Sequence, residues 1–203
     1  SEKLITDFIE GILNPLKKFN IECFILTGNH DSISDPKRLS CLGFINSISK
    51  NYGNIKLIED LTVIPMGITD LGPLNFIFLP HINRAHLEFD NRKYEYSNTQ
   101  EYIEEWSKNI NLELGNDSVN YVFSHLNVNG IHGGSEENLL KKSQAFLPEA
   151  FLYDNVNVGF TRPIIIQSHI HSRQASGNIN IVGSQIYCGF GESEEEKYFL
   201  ELS

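Results

Sequence analysis

The run Ile21-Glu22-Cys23-Phe24-Ile25-Leu26, followed after Thr27 by Gly28-Asn29-His30-Asp31, is the stretch from which the fold can be read. It is short, mostly apolar and stopped by a glycine, which predicts a buried strand leading into a polar turn. Upstream, Leu4, Ile5, Phe8, Ile9, Ile12, Leu13 and Leu16 recur at helical spacing. They predict a helix over residues 2–18 with one apolar face, which Pro15 should end or kink. A helix followed by a buried strand is the repeating unit of α/β folds.

The pattern continues downstream. Asp35-Pro36 suits the start of a helix running to about Ser49, with the acid at the N-cap and proline in the first turn. Ile55–Ile58, Leu61–Ile68 and Asn75–Leu79 read as short strands, with Gly72-Pro73 as a turn signal. Asn83–Tyr96 is polar and reads as an exposed connection. Asn98 and Glu101 have capping-box spacing and open a helix with Tyr102, Ile103, Trp106 and Ile110 on one face. Val119–Phe123, Pro163–Gln167, Ile179–Val182 and Tyr198–Leu202 read as strands, and Ile131–Tyr153 as loop and helix. The expectation is one layered α/β domain, with a mixed sheet or two sheets.

Composition narrows the class. A chain of 203 residues with 40% hydrophobic and 21% charged residues can bury a real core as one domain. No apolar run approaches the ~20 residues of a membrane-spanning helix. The amphipathic start does not resemble a signal peptide. Cys23, Cys41 and Cys188 are odd in number and lack paired spacing, which argues against a disulfide framework or a cysteine zinc site and favours a reducing, cytoplasmic location. The formal net charge of −10 excludes a general attraction to nucleic acid, so binding there would need bound cations or a local basic rim.

Chemistry-bearing residues cluster where strands end. After the first strand, Asn29 offers a neutral carbonyl oxygen, His30 can carry a proton near neutral pH, and Asp31 can hold its ring. The bland alternative is a polar turn in which Asn and Asp serve backbone geometry alone. His125 follows a strand and, taken singly, reads as a structural histidine. His169 and His171 form an H-x-H pair; on an extended segment both rings would face one side and could share one metal or serve two. Their bland reading is a pair of surface histidines. His81 and His86 read mainly as residues before or in a polar connection, with lining of a groove as the lesser alternative; His132 reads mainly as an exposed loop residue, with contact to a substrate phosphate as the lesser one. Trp106 reads as packing, and Glu192–Glu196 as a solvated turn.

Taken in order, strand–GNHD, strand–Ser124-His125 and strand–Ser168-His169-Ile170-His171 resemble the calcineurin-like metallophosphoesterases. Within that family they look most like the SbcD-type nuclease subunits of DNA repair and recombination. Gly28–Leu39, Phe76–Ile82, Ser124–Gly130 and Ile181–Leu202 are similar to stretches of that branch. The resemblance implies a metallophosphoesterase-type layered sandwich of mixed sheets flanked by helices, over residues 1–203 as a single, partial catalytic domain. It implies two divalent metal ions, manganese in the nuclease branch, that activate a nucleophile for attack on phosphorus. Asn29, His125 and His169 would bind one metal and His171 the other, with His30 as proton donor and Asp31 orienting it. DNA, an SbcC-like ABC-type ATPase subunit and a second copy of the chain are the implied partners, with no membrane. The implied activity is that of a phosphodiesterase or nuclease. The rival readings are a phosphoesterase for small esters and an inactive phosphoesterase-fold scaffold.

Two departures stand out. Ser168 replaces the glycine of the GHxH motif. The family's opening strand–D-x-H and G-D motifs have no match in Ser1–Asn20, where Asp7 reads as a solvated helix residue. The corresponding expectation is a catalytic domain lacking its first strand and bridging carboxylate, holding one metal by itself and belonging to a longer protein.

Overall fold

A computed structural model describes residues 2–33, 39–114, 118–129, 145–152, 162–185, 196–197 and 199–202. The helix start at Asp35-Pro36, His132, Cys188, most of Ile131–Tyr153 and most of Glu192–Glu196 lie outside those residues.

The chain opens with α1 (Glu2–Phe8), a π-helical stretch (Ile9–Leu13) and α2 (Asn14–Lys18). Pro15 therefore does not end the helix. Proline lacks an N–H and crowds the carbonyl one turn back, and a widened π turn just before it is a way to absorb the conflict. β1 (Cys23–Leu26) follows, then α3 (Phe44–Ser49) and β2 (Ile55–Ile58), which pairs with β1 in parallel.

β3 (Thr62–Thr69) and β4 (Gly72–Leu79) form a hairpin with Thr69 opposite Gly72. The turn is thus Asp70-Leu71, and Gly72-Pro73 begins the second strand, a position proline tolerates because early strand residues need not donate. α4 (Arg84–Glu88) and a 3-10 stretch (Phe89–Tyr94) occupy the segment expected to be an exposed connection. α5 (Thr99–Leu114) follows, with the Asn98 side chain accepting from Glu101 N–H at 3.0 Å. The Glu101 carboxylate caps the Ser97 N–H at 2.8 Å, one residue earlier than a standard capping box.

β5 (Val119–Ser124), β6 (Ile164–Gln167), β7 (Gln174–Ser176) and β8 (Ile179–Ile181) complete a six-stranded sheet of order β3-β4-β5-β6-β8-β7. β4, β5, β6 and β8 run parallel, with β3 and β7 antiparallel at the edges. The closing strand expected at Tyr198–Leu202 is absent at residues 199–202, where Phe199 is 93% exposed and joins no ladder. The protein is thus mixed α/β, with a six-stranded mixed sheet and a parallel two-stranded sheet flanked by helices. No described helix is long and apolar enough to cross a membrane.

Strand alternation covers both faces of the large sheet. Ile77, Leu79, Val122 and Ile165 are buried in one core with Tyr102 and Ile103 of α5. On the opposite face, Phe76 and Phe78 meet Phe24 of β1, with Phe24–Phe78 centroids 5.2 Å apart, and Phe123 stacks on Phe78 at 5.3 Å. These rings join the small sheet to the large one. A second core of Leu13, Ile45 and Ile55 lies under α1 to α3.

Ile77 is fully buried and Ile68 is 87% exposed. Ile77→Ala is expected to destabilise by about 2–5 kcal/mol, whereas Ile68→Ala should stay within about 0.5 kcal/mol, as read from urea denaturation midpoints.

Candidate active site

Strand ends from both sheets meet at one edge of the structure. Backbone bonds join them: His81 N–H to Thr27 O at 3.0 Å, His125 N–H to Leu79 O at 2.8 Å, and Ser168 N–H to Ser124 O at 2.8 Å. Residues just beyond these strands are thereby brought together, which is where α/β sheets place their ligands.

The turn after β1 is a 3-10 segment, Asn29–Asp31. The Asp31 carboxylate accepts the Gly28 N–H at 2.8 Å, and the Asp31 N–H donates to Gly28 O at 3.2 Å. Asp31 thus shapes the backbone that presents Asn29 and His30. Gly28 has φ −106°, so any residue could adopt its conformation. Space is what demands glycine: a Cβ there would lie 2.8 Å from His125 Cε1 and 2.9 Å from its Nε2.

His125 is held at both ring nitrogens. Nδ1 lies 2.8 Å from Ser168 Oγ, and Nε2 lies 2.9 Å from Asn29 Oδ1. Ser168 Oγ also lies 2.9 Å from Ser124 O. Its one hydrogen serves either Ser124 O, with His125 Nδ1–H donating to Oγ and the Nε2 lone pair facing Asn29 Oδ1, or Nδ1 itself, with Nε2–H donating to Asn29 Oδ1. The first tautomer suits a cation held by Nε2 and Oδ1; the second closes the junction as a hydrogen bond. The serine that departs from the GHxH glycine thus acquires a use: it orients the imidazole, as the hydroxyls and carbonyls behind metal-binding histidines do.

The extended H-x-H segment does not form. β6 ends at Gln167, and His169 has φ 73°. Strand alternation therefore does not place the two rings. A bulky side chain in the left-handed region is uncommon and points to local constraint. His169 is buried, with Nε2 3.0 Å from Asn127 Oδ1, and its ring centroid is 5.2 Å from that of His125. His171 is half-buried. Its carbonyl accepts the Ser184 N–H at 2.9 Å and packs on Gly183, whose φ of 80° and 2.7 Å Cβ approach to His171 O both require glycine.

His81 also belongs to the group. Burial first, then His169, His86 and His30, lowers its pKa to about 4. Burial first, then His169, His81, His30 and His171, lowers that of His125 to about 3. The exposed His30 therefore lies within electrostatic reach of both rings. A reading of His81 as mainly a loop residue underweights it. Leu79-Pro80-His81 carries the signal shared by the others, a histidine at a strand end.

His86 is different. Nε2 lies 2.9 Å from Glu59 O, and Nδ1 accepts the Asn83 N–H at 3.2 Å, so it is a neutral, satisfied core histidine. Burial is the leading cause of its lowered pKa.

Among the described residues, no three His, Cys, Asp or Glu side chains converge as a closed metal cage. The donor chemistry nonetheless fits a divalent cation at one point, where a carbonyl oxygen and an imidazole nitrogen are already side by side. No protein-family model matches the chain, and no curated protein matches it.

Gly28→Ala is expected to destabilise by about 1–3 kcal/mol, while Gly53→Ala, where a Cβ meets nothing within 4 Å, should be near neutral; urea denaturation reads both. For His81 and His125 the folded pKa lies below the unfolded value of 6.5, so stability is full above pH 6.5 and falls as the pH drops below it. At pH 5 each should lower stability by about 2 kcal/mol in chelator-treated protein; equal denaturation midpoints at about pH 7.5 and 5 would contradict this.

Proposed function

We propose that this chain carries the site of a metal-dependent phosphodiesterase acting on DNA, of the SbcD nuclease type. The observation that carries the reading is the pairing of Asn29 Oδ1 with His125 Nε2 at 2.9 Å, beside His30 and with Ser168 behind the ring. Asn29 and His125 are residues for which the motif resemblance implies metal binding, and they come from separate strand ends. The mixed two-sheet layering supports a metallophosphoesterase-type sandwich without being specific to it.

In this reading Asn29, His125 and His169 would hold one divalent cation, manganese by the resemblance, and His171 a second. Such a cation supplies positive charge for phosphate oxygens and makes water ionisable near neutral pH. The remaining tasks fall to side chains. Ser168, accepting from His125 Nδ1–H, would leave the Nε2 lone pair directed at the site. Asn127 fixes the His169 ring through Nε2, so that ligation would fall to Nδ1. Burial keeps His81 and His125 neutral, so neither competes with a cation by carrying a proton. His30, exposed on the Asp31-closed turn, stands where it can give a proton to the departing oxygen or stabilise charge on phosphorus.

With manganese and linear duplex DNA, His30→Ala should lower kcat by about 10²-fold or more while leaving the denaturation midpoint unchanged. Activity confined to bis(4-nitrophenyl) phosphate would redirect the reading to small esters. An unchanged rate in the variant would remove His30 from the chemistry.

A further inference from the structure

β6 ends on Gln167, which pairs with Ser124 of β5 on one side and with Ile181 of β8 on the other. Strand alternation puts its side chain on the same face as Ile165, in the main core, where it is fully buried. A buried amide needs partners. Both hydrogens of the Gln167 NH2 are used: Nε2 donates to Leu126 O at 2.5 Å and to Ser168 O at 2.8 Å. Turning the amide over would set its oxygen against two carbonyl oxygens, so these contacts fix its orientation. Oε1 is buried and meets no hydrogen-bond partner among the described residues. An orphan of this kind costs free energy that an apolar side chain of similar shape avoids.

What the amide holds gives the reason for it. Ser168 O belongs to the peptide that enters His169, and Leu126 O to the peptide that enters Asn127. Those two residues meet through their side chains, His169 Nε2 to Asn127 Oδ1 at 3.0 Å. We infer that Gln167 is a positioning residue for His169: its amide clips the Ser168 and Leu126 carbonyls together, and so sets the pose in which the His169 ring meets a divalent cation. The inference rests on the proposed function for what the ring would hold, though not for the clip itself.

The His169 backbone supplies a second argument. Its φ of 73° lies in the left-handed region, which a side chain with a Cβ adopts only where the surroundings over-determine it. The rotation φ turns the residue against the Ser168–His169 peptide plane. Ser168 is held at both backbone groups, its N–H by Ser124 O at 2.8 Å and its carbonyl by Gln167. Releasing that carbonyl would free the plane to turn and His169 to relax to a commoner φ. Asn127 is less dependent on the clip, because its own N–H donates to Ala145 O and its carbonyl accepts from Leu147 N–H. The His169 side is thus the one that Gln167 governs.

The test titrates manganese into the full chain and reads the unbound ion by EPR. Gln167→Met removes both donors and keeps an unbranched side chain of similar length. It should weaken manganese binding by about tenfold or more. In a His169→Ala background, itself weaker, the same substitution should change the affinity by less than about twofold. Asn111→Leu removes another buried amide with an orphan oxygen, one whose nitrogen bonds Ala150 O, and should bind as the wild type does. Equal losses with and without His169, equal losses in Gln167→Met and Asn111→Leu, or wild-type affinity in Gln167→Met would each overturn the positioning role. A second readout needs neither metal nor variant. In chelator-treated wild-type protein, NMR should show the Gln167 NH2 protons exchanging far more slowly than those of the exposed Gln185. Fast exchange at Gln167 overturns the clip, whether or not the variant folds. If His169→Ala weakens manganese binding and Gln167→Met does not, the metal reading survives and the positioning role falls. A wild-type chain that binds no manganese overturns the metal reading, and slow exchange would then leave Gln167 a structural amide.

Discussion

The approach of the Gly28 backbone to the His125 ring is the contact on which the site depends. A methyl group at Gly28 would fall inside the van der Waals envelope of the imidazole. Without it, the turn after β1 closes against the end of β5, and Asn29 reaches His125 Nε2 from one side while Ser168 holds Nδ1 from the other. One ring thus joins three strand ends. Two sheets packed together through Phe24, Phe76, Phe78 and Phe123 acquire a polar junction at their edge.

The junction is electrically unusual because its leading charge neighbours are other imidazoles. Protonating one raises the cost of protonating the next, and burial adds to that cost. His81 and His125 are therefore held as neutral rings and not charges. The exposed His30 is the member that meets solvent. In the proposed function, the neutral rings would face a cation and the solvent-facing His30 a substrate oxygen.

A second polar network explains why an ordinary-looking connection became structure. Under α4 and the following turn, His86 bonds to Asn83 and the Glu59 carbonyl, and Arg92 and Tyr102 both bond to Asp60. Buried polar groups need partners, and this set supplies them at the edge of the main core. The segment Asn83–Tyr96 shows no apolar period, so its sequence resembles loop. The partners contributed by Glu59, Asp60 and Tyr102 fold it down.

Local pattern in the sequence was enough to establish β1, β2, β5, β6, the capped start of α5 and the strand-end positions of Asn29, His125 and His169. Those features depend on period, length and turn chemistry, which neighbouring residues carry. The conformation of His169, the use of Ser168, the reason for Gly28 and the membership of His81 were decided by tertiary structure alone. Each depends on a partner far along the chain: Gly28 on His125, Ser168 on Ser124 and His125, His81 on Thr27 and His169. The spacing of a motif shows which groups a strand end offers. How close they come, and which partner each ring nitrogen meets, follows from the packing of one strand end against another.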